Sequence, residues 1–183
     1  MASILDSLVD KQGGVRKSAN WYRTNVQSLA DKVTARKLMN QGKLVGRPSV
    51  GRLNMFFYDP KLKKTLPYYD TFPLVLPLEP ISGGFMGMNF HYLPPLLRFR
   101  LLERMQQFAD GGMDKKTKFQ ATYDDVKKIP MVKPTIKKYL YGHVRSNFLR
   151  IDFDEAALAV YLPVQQFKKA GTTRVWADSR SMF

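Results

Sequence analysis

The stretch from Phe56 to Leu78, FFYDPKLKKTLPYYDTFPLVLPL, constrains the fold more than any other part of the chain. It is rich in aromatic residues and contains turn residues, a composition typical of short strands joined by turns. Three strands are predicted in this region, at residues 53–59, 71–79 and 83–93. Pro73 and Pro77 lack a backbone N–H group, so the second strand is predicted to lie at the edge of its sheet or to run along the rim of a barrel.

Helical spacing appears on both sides of this strand-rich region. Apolar residues at intervals of three and four predict one N-terminal helix, which Ser18 caps and Gly42 ends. A second helix is predicted over residues 94–109, and a third after Pro134. Helices segregated from a run of strands indicate an α+β fold. We expect a small, strongly bent, barrel-like antiparallel sheet packed with helices, and an N-terminal helical arm.

The distribution of charge divides the chain into three parts. The whole chain has 30 Lys and Arg residues against 15 Asp and Glu residues, a net charge of +15. Residues 1–52 carry +7, residues 53–110 carry +1, and residues 111–183 carry +7. This pattern predicts a basic helix and linker arm at 1–52 and a single α+β domain at 53–183. Because so much positive charge repels itself, it indicates a polyanionic partner, with nucleic acid first and an acidic protein surface second.

Several classes of function are disfavoured by what the sequence lacks. The chain has no cysteine and two histidines, His91 and His143, so neither a thiolate metal site nor a zinc site is expected. We find no phosphate-binding Walker loop and no G-x-S-x-G nucleophile elbow. No run approaches the length of a membrane span, and the first residues do not resemble a signal peptide. We therefore predict that the protein has no catalytic residues, binds no cofactor and no metal ion, and does not interact with a membrane.

A metal-dependent nuclease is the one enzymatic alternative with residues to support it. Asp59 and Asp70 bracket the first predicted turn, and three lysines lie between them. Such sites usually include a third acidic residue. A turn residue before Pro60 and a solvated residue before a strand explain the two carboxylates more simply.

Basic residues interleaved with tyrosines and phenylalanines are the candidate contacts to a nucleic acid. Lysine and arginine neutralise phosphates, and tyrosine rings stack on unpaired bases. The candidate phosphate contacts are Arg47, Arg52, Lys61, Lys63, Lys64, Lys137, Lys138, Arg145 and Arg150. The candidate stacking or partner contacts are Tyr68, Tyr69 and Tyr92. An amphipathic segment with one solvated face explains residues 137–150 equally well, so the prediction depends on total charge and on the two basic flanks.

Three segments carry a resemblance to a known family: MFFYDPKLKKTLPYYDTFPLVLPL, GGFMGMNFHYLP and HVRSNFLRI. They resemble a small virion protein family of T-even-like contractile-tailed phages, the DNA end protectors, over about residues 50–183. The resemblance brings no catalytic residues. It implies a virion protein, assembled in the host cytoplasm as part of a larger structure near the portal, neck or tail.

Two functions follow from the charge and the resemblance together. The first is a non-enzymatic virion protein that contacts the packaged double-stranded DNA at or near an end by phosphate neutralisation. The alternative is a neck, baseplate or tail component whose basic surface binds acidic phage proteins without binding DNA. The nuclease is a third and less favoured interpretation.

Overall fold

Six antiparallel strands form the main sheet of the computed structural model, which describes residues 2–183. The strands of the chain are β1 (Lys43–Val45), β2 (Leu53–Met55), β3 (Tyr69–Asp70), β4 (Leu74–Ile81), β5 (Gly84–Asn89), β6 (Ile136–Leu140), β7 (Phe148–Ile151) and β8 (Phe167–Lys168). The order across the main sheet is β1-β7-β2-β4-β5-β6, and β3 pairs with β8 separately. The α+β class is confirmed. The barrel-like closure is not, because β1 and β6 lie at opposite edges of an open sheet.

The proline-containing strand β4 lies inside the sheet, so the prediction of an edge strand was wrong. It pairs with β2 on one side and with β5 on the other. The prolines are tolerated because β2 is short and pairs only with Leu74 and Val75. At Pro77 that side of the strand is open, and the Pro77 carbonyl accepts a hydrogen bond from the Gly51 N–H group at 3.0 Å. Locally, Pro77 therefore sits in the edge-like position that the physics of proline requires.

Residues 2–183 also form seven α-helices, most of them short. They are α1 (Ile4–Gln12), α2 (Ala19–Gln27), α3 (Ala35–Gln41), α4 (Pro95–Met105), α5 (Tyr123–Val126), α6 (Ala156–Ala159) and α7 (Thr172–Arg180). The single N-terminal helix predicted from Ser18 to Gly42 is two helices. The Ser18 hydroxyl does accept the Trp21 N–H group, but Thr34 caps a second start at α3. A second N-cap inside a periodic stretch divides the helix that the apolar spacing alone predicts.

The segment after Pro134 is strand β6 and not the predicted helix. It pairs with β5 from Ile136 to Leu140, and Tyr139 enters a buried aromatic cluster with Phe56 and Phe85. Backbone pairing to β5 and burial of one large ring outweigh the local helical spacing. Lys137 and Lys138 consequently lie on an edge strand of the main sheet.

Apolar side chains cover both faces of the sheet, which gives two cores. The larger core contains the helices and one sheet face, whereas the smaller one is the aromatic cluster of Phe56, Tyr58, Val75, Phe85, Tyr139 and Phe148. Neighbours along a strand point to opposite cores, as Leu74 and Val75 do. The stretch Phe56–Leu78 thus supplies buried residues to both sides of the sheet.

The first 52 residues, predicted to form a basic arm, pack against the rest of the chain. Leu8 of α1, Tyr22 of α2 and Leu38 of α3 are buried in the larger core. Strand β1 pairs with β7 at residues 148–150. Residue 1 lies outside the described residues, and the boundary at residue 52 stays a prediction.

Candidate nucleic-acid interface

A cleft of about 650 Å³ runs along the free edge of β6. Its other wall is the loop of residues 60–69 that leads into β3. Six of the twelve predicted contact residues line it: Lys61, Tyr68, Tyr69, Tyr92, Lys137 and Lys138. These residues come from three segments far apart in the sequence. We name this feature the β6 cleft.

A buried hydrogen-bond network below the β6 cleft holds its tyrosines in place. The Asp70 carboxylate accepts hydrogen bonds from His91 Nδ1 at 2.8 Å, from Asn89 Nδ2 at 3.3 Å, and from the backbone N–H groups of Phe72 and Gln166 at 3.0 and 3.1 Å. Asp70 follows Tyr69 directly, and His91 precedes Tyr92 directly. One buried carboxylate therefore fixes the backbone beside two of the tyrosines.

Burial and hydrogen-bond donors together set the protonation states of Asp70 and His91 in this network. Burial alone would raise the pKa of Asp70, but His91 and the N–H groups of Phe72 and Gln166 lower it below its usual value. Burial lowers the pKa of His91, so at neutral pH a neutral imidazole donates its Nδ1–H to an ionised Asp70. His91 is thus a buried, hydrogen-bonded residue of the core. The interpretation of Asp70 as a solvated carboxylate was wrong, since Asp70 is buried.

Lys169, about 100 residues further along the chain, holds the loop that forms the outer wall of the β6 cleft. Lys169 adopts a left-handed backbone conformation with φ of 70°. Its Nζ donates to the carbonyl oxygens of Lys64 and Leu66 at 3.0 and 2.9 Å. Both acceptors are backbone atoms, so these bonds do not engage the side chain of Lys64, which is exposed on the loop. The outer wall is thus anchored to the strand that pairs with β3.

Lys137 is the most unusual cation of the β6 cleft. Its side chain is half-buried, and its Nζ lies 4.1 Å from the centre of the Tyr92 ring. Among residues 2–183 no carboxylate forms an ion pair with it. Burial lowers the pKa of Lys137 to about 8, so the ammonium is still largely charged at pH 7. An ammonium that is partly desolvated and faces only an aromatic ring is a natural partner for an anion.

The outer edge of β6 adds backbone donors to the cleft. The Tyr141 N–H group bonds to the Gly83 carbonyl across the sheet at 2.9 Å. Since alternate residues of an antiparallel strand point their N–H groups to opposite sides, those of Leu140 and Lys138 point away from β5. The Leu140 N–H group donates a hydrogen bond to the Tyr58 hydroxyl oxygen at 3.0 Å. That of Lys138 faces the open edge, where backbone N–H groups can bind phosphate oxygens.

The remaining predicted phosphate contacts lie elsewhere, and several are held by acidic side chains. Arg150 Nε is 3.0 Å from the buried Asp152 carboxylate, and Arg52 donates to the carbonyls of Lys115 and Lys116. Lys63 is 2.8 Å and Arg145 is 3.8 Å from Asp59. Arg47 and Lys64 are exposed. The structure therefore divides the predicted set into cleft residues, exposed residues and residues engaged within the molecule.

The two carboxylates of the nuclease interpretation have separate partners. Asp59 is engaged by Lys63 and Arg145 at the surface, whereas Asp70 is enclosed by four donors. Across residues 2–183 no group of three or more acidic or imidazole side chains is arranged to hold a metal ion. Every helix of this part of the chain is too short or too polar to cross a bilayer.

The profile of one protein family, described as Phage T4 terminal DNA protecting protein, matches residues 3–179. The chain belongs to this family. The match covers nearly all of the chain, including the N-terminal helices that the resemblance seen in the sequence left out. The searches of curated proteins and of solved structures gave no match.

The sequence did not predict the residues that support the walls of the β6 cleft without contacting its interior through a basic or aromatic side chain. Asn89, Gln166 and Lys169 position its walls through hydrogen bonds, and none of them is among the twelve predicted contact residues. Tyr92 was predicted to stack, but it is only 6% exposed, and Lys137 and Phe167 cover its ring. The pairing of a buried carboxylate with a histidine 21 residues away depends on tertiary contact, which local spacing does not reveal.

Proposed function

We propose that this chain is a non-enzymatic virion protein that binds the end of a packaged, linear double-stranded DNA and shields it. Membership of a family named for protecting terminal DNA supports the role and the location. The observation that carries the proposal for this molecule is the β6 cleft. It brings together Lys61, Lys137 and Lys138 with two half-buried tyrosines from a separate loop.

The chemistry of the β6 cleft suits phosphate binding without sequence readout. Lysines act as point charges toward phosphate oxygens, and a free backbone N–H group adds a donor. Lys63, Lys64 and Arg47 lie exposed and extend the positive surface, although Asp59 offsets part of the charge of Lys63. Arg52 and Arg150 are assigned a structural role instead, because Asp152 holds both of them.

The test is a binding titration of the purified protein against linear and closed-circular duplex of the same sequence, at two salt concentrations. We expect preference for the linear form and a steep fall in affinity as salt rises. Equal binding to both forms would contradict end recognition. Absence of binding at low salt would contradict DNA binding altogether.

Matched lysine variants assign the binding to the β6 cleft. Each of Lys61→Gln and Lys138→Gln should weaken binding and lower the slope of log affinity against log salt by about 1. Lys128→Gln removes the same charge from an exposed position that does not line the cleft and should leave the preference for ends unchanged. A general effect of net charge would make all three variants alike.

One observation favours the alternative function, binding to an acidic protein of the portal, neck or tail. A second groove of about 650 Å³ lies between α2 and the start of α4, and its walls are largely apolar. Leu96 in this groove is 47% exposed, and Arg23 lines its rim. A stable complex with a purified neck or tail protein, together with no affinity for linear DNA at low salt, would establish this function in place of the first.

A further inference from the structure

The β6 cleft has the size and chemistry of a site for one small ligand. A volume of about 650 Å³ falls in the range of pockets that enclose a single drug-sized molecule. Its two walls, β6 and the loop of residues 60–69, are both anchored within the molecule. A cleft between two fixed walls suits one nucleotide lying between them better than it suits the flat face of a base pair.

Tyrosine rings and a cation without a carboxylate partner among the described residues both line this site. Tyr68 and Tyr69 are half-buried on the loop side, where a ring can offer part of its face to a base. Lys137 lies on the strand side against the Tyr92 ring, with no carboxylate partner among the described residues. The free N–H group of Lys138 lies on the same strand. The centre of the Tyr92 ring is 4.1 Å from Lys137 Nζ and 6.1 Å from the centre of the Tyr68 ring, so stacking groups and anion-binding groups lie close together in the cleft.

We infer that the β6 cleft receives one unpaired nucleotide at the DNA terminus, with its base against Tyr68 or Tyr69 and its phosphate against Lys137. This inference depends on the proposed function and adds the form of the DNA end that is recognised. An unpaired nucleotide satisfies both halves of the cleft, because its base has free faces and its phosphate can approach the ammonium. A fully paired end keeps its terminal base stacked in the duplex, outside the reach of the tyrosines.

The experiment measures affinity for short duplexes that carry a fluorescent label at the opposite, hairpin-closed end. The open end is blunt or has one to three unpaired nucleotides on the 5′ or the 3′ strand, with or without a terminal phosphate. We expect tighter binding to at least one of the unpaired ends than to the blunt end, by roughly fivefold or more. Equal affinity for all ends, with linear DNA still preferred over circles, would overturn this inference and leave the proposed function standing.

Variants identify the groups that read the unpaired nucleotide. Tyr68→Ala and Tyr69→Ala should together remove the preference for unpaired ends, while Tyr123→Ala, an exposed tyrosine on α5, should not. Lys137→Met should weaken binding to the phosphorylated unpaired end more than to the blunt end. If Lys137→Met weakens both ends equally, the assignment of the phosphate to Lys137 is wrong. Circular dichroism of each variant shows whether the fold is retained.

Discussion

Arg98 and Lys137 are two desolvated cations that form no ion pair with a carboxylate in the described part of the chain, and their surroundings differ. The guanidinium of Arg98 is completely buried and donates to the carbonyls of Leu93, Val160 and Leu162 and to the Gln165 side chain, at 2.6 to 3.4 Å. It also lies 5.6 Å from the Trp176 ring. Burial lowers its pKa to about 9, so it remains charged at neutral pH. Lys137 has one aromatic ring and an opening to solvent.

The difference shows that two residues with the same charge can have different roles, one in stabilising the fold and one in binding a ligand. Arg98 uses a planar group with several donors to connect α4 to the segment after α6, which is a structural task. Lys137 keeps its donors free at the edge of a cleft. The charge of a residue therefore says little about its role until its acceptors are known. The four predictions below test this contrast, from the largest expected effect to the smallest.

Arg98→Met should lower the free energy of unfolding by about 3–5 kcal/mol, because it leaves buried carbonyl groups without donors. Chemical denaturation measures the change. Arg100→Met is the matched control, since Arg100 is exposed on the same helix, and it should change stability by less than about 0.5 kcal/mol. Similar values for the two variants would show that the acceptors of Arg98 do not matter.

Asp70→Ala should lower the free energy of unfolding by about 2–3 kcal/mol, since it leaves Asn89 and two backbone N–H groups unpaired. Acid should act in the same direction. The lowered pKa of His91 means that the unfolded state binds more protons below pH 6.5, so stability falls as the pH drops through that value. The lowered pKa of Asp70 adds a further loss below pH 3.8. Thermal unfolding from pH 7 to pH 3 measures both effects, and a flat profile would contradict the burial of the pair.

Lys137→Met should raise the free energy of unfolding by about 1 kcal/mol while it weakens binding to DNA ends. In the native chain the folded pKa of about 8 lies below the ordinary value of 10.5, so the unfolded state holds more protons between these values. Stability should therefore rise from pH 8 to pH 10.5, and this part of the rise should be absent in the variant. Affinity for DNA ends should fall over pH 7–9 in the native chain. A variant that loses both stability and binding would show a structural role.

Arg150→Gln should lower the free energy of unfolding by less than about 1 kcal/mol, because Arg150 is partly exposed and Asp152 keeps Lys43 as a partner. Its salt dependence of DNA binding should match that of the native chain. Lys138→Gln, with the same loss of charge, should reduce that dependence. A lower salt slope for Arg150→Gln would mean that Arg150 leaves Asp152 to bind phosphate.

The sequence by itself determined the features that depend on local chemistry. Its net charge indicated a polyanionic partner, and the absence of cysteine excluded thiolate metal ligands. The cap at Ser18 and the helix after Pro94 are confirmed, since interactions within one helical turn decide them. Apolar and aromatic runs bounded by turn residues located β2, β4 and β5, because strand composition reflects the half-buried surface that these residues favour.

Only the tertiary structure decided which candidate residues meet. Local spacing made residues 136–140 look helical, but pairing with β5 placed them in the sheet. Asp70 meets Gln166, 96 residues away, and that contact fixes the floor of the β6 cleft. Whether a cation is free also depends on its neighbours in space: Asp152 engages Arg150, while Lys137 faces a ring. Burial and long-range hydrogen bonds arise only when the chain packs, so they could not be predicted from local sequence patterns.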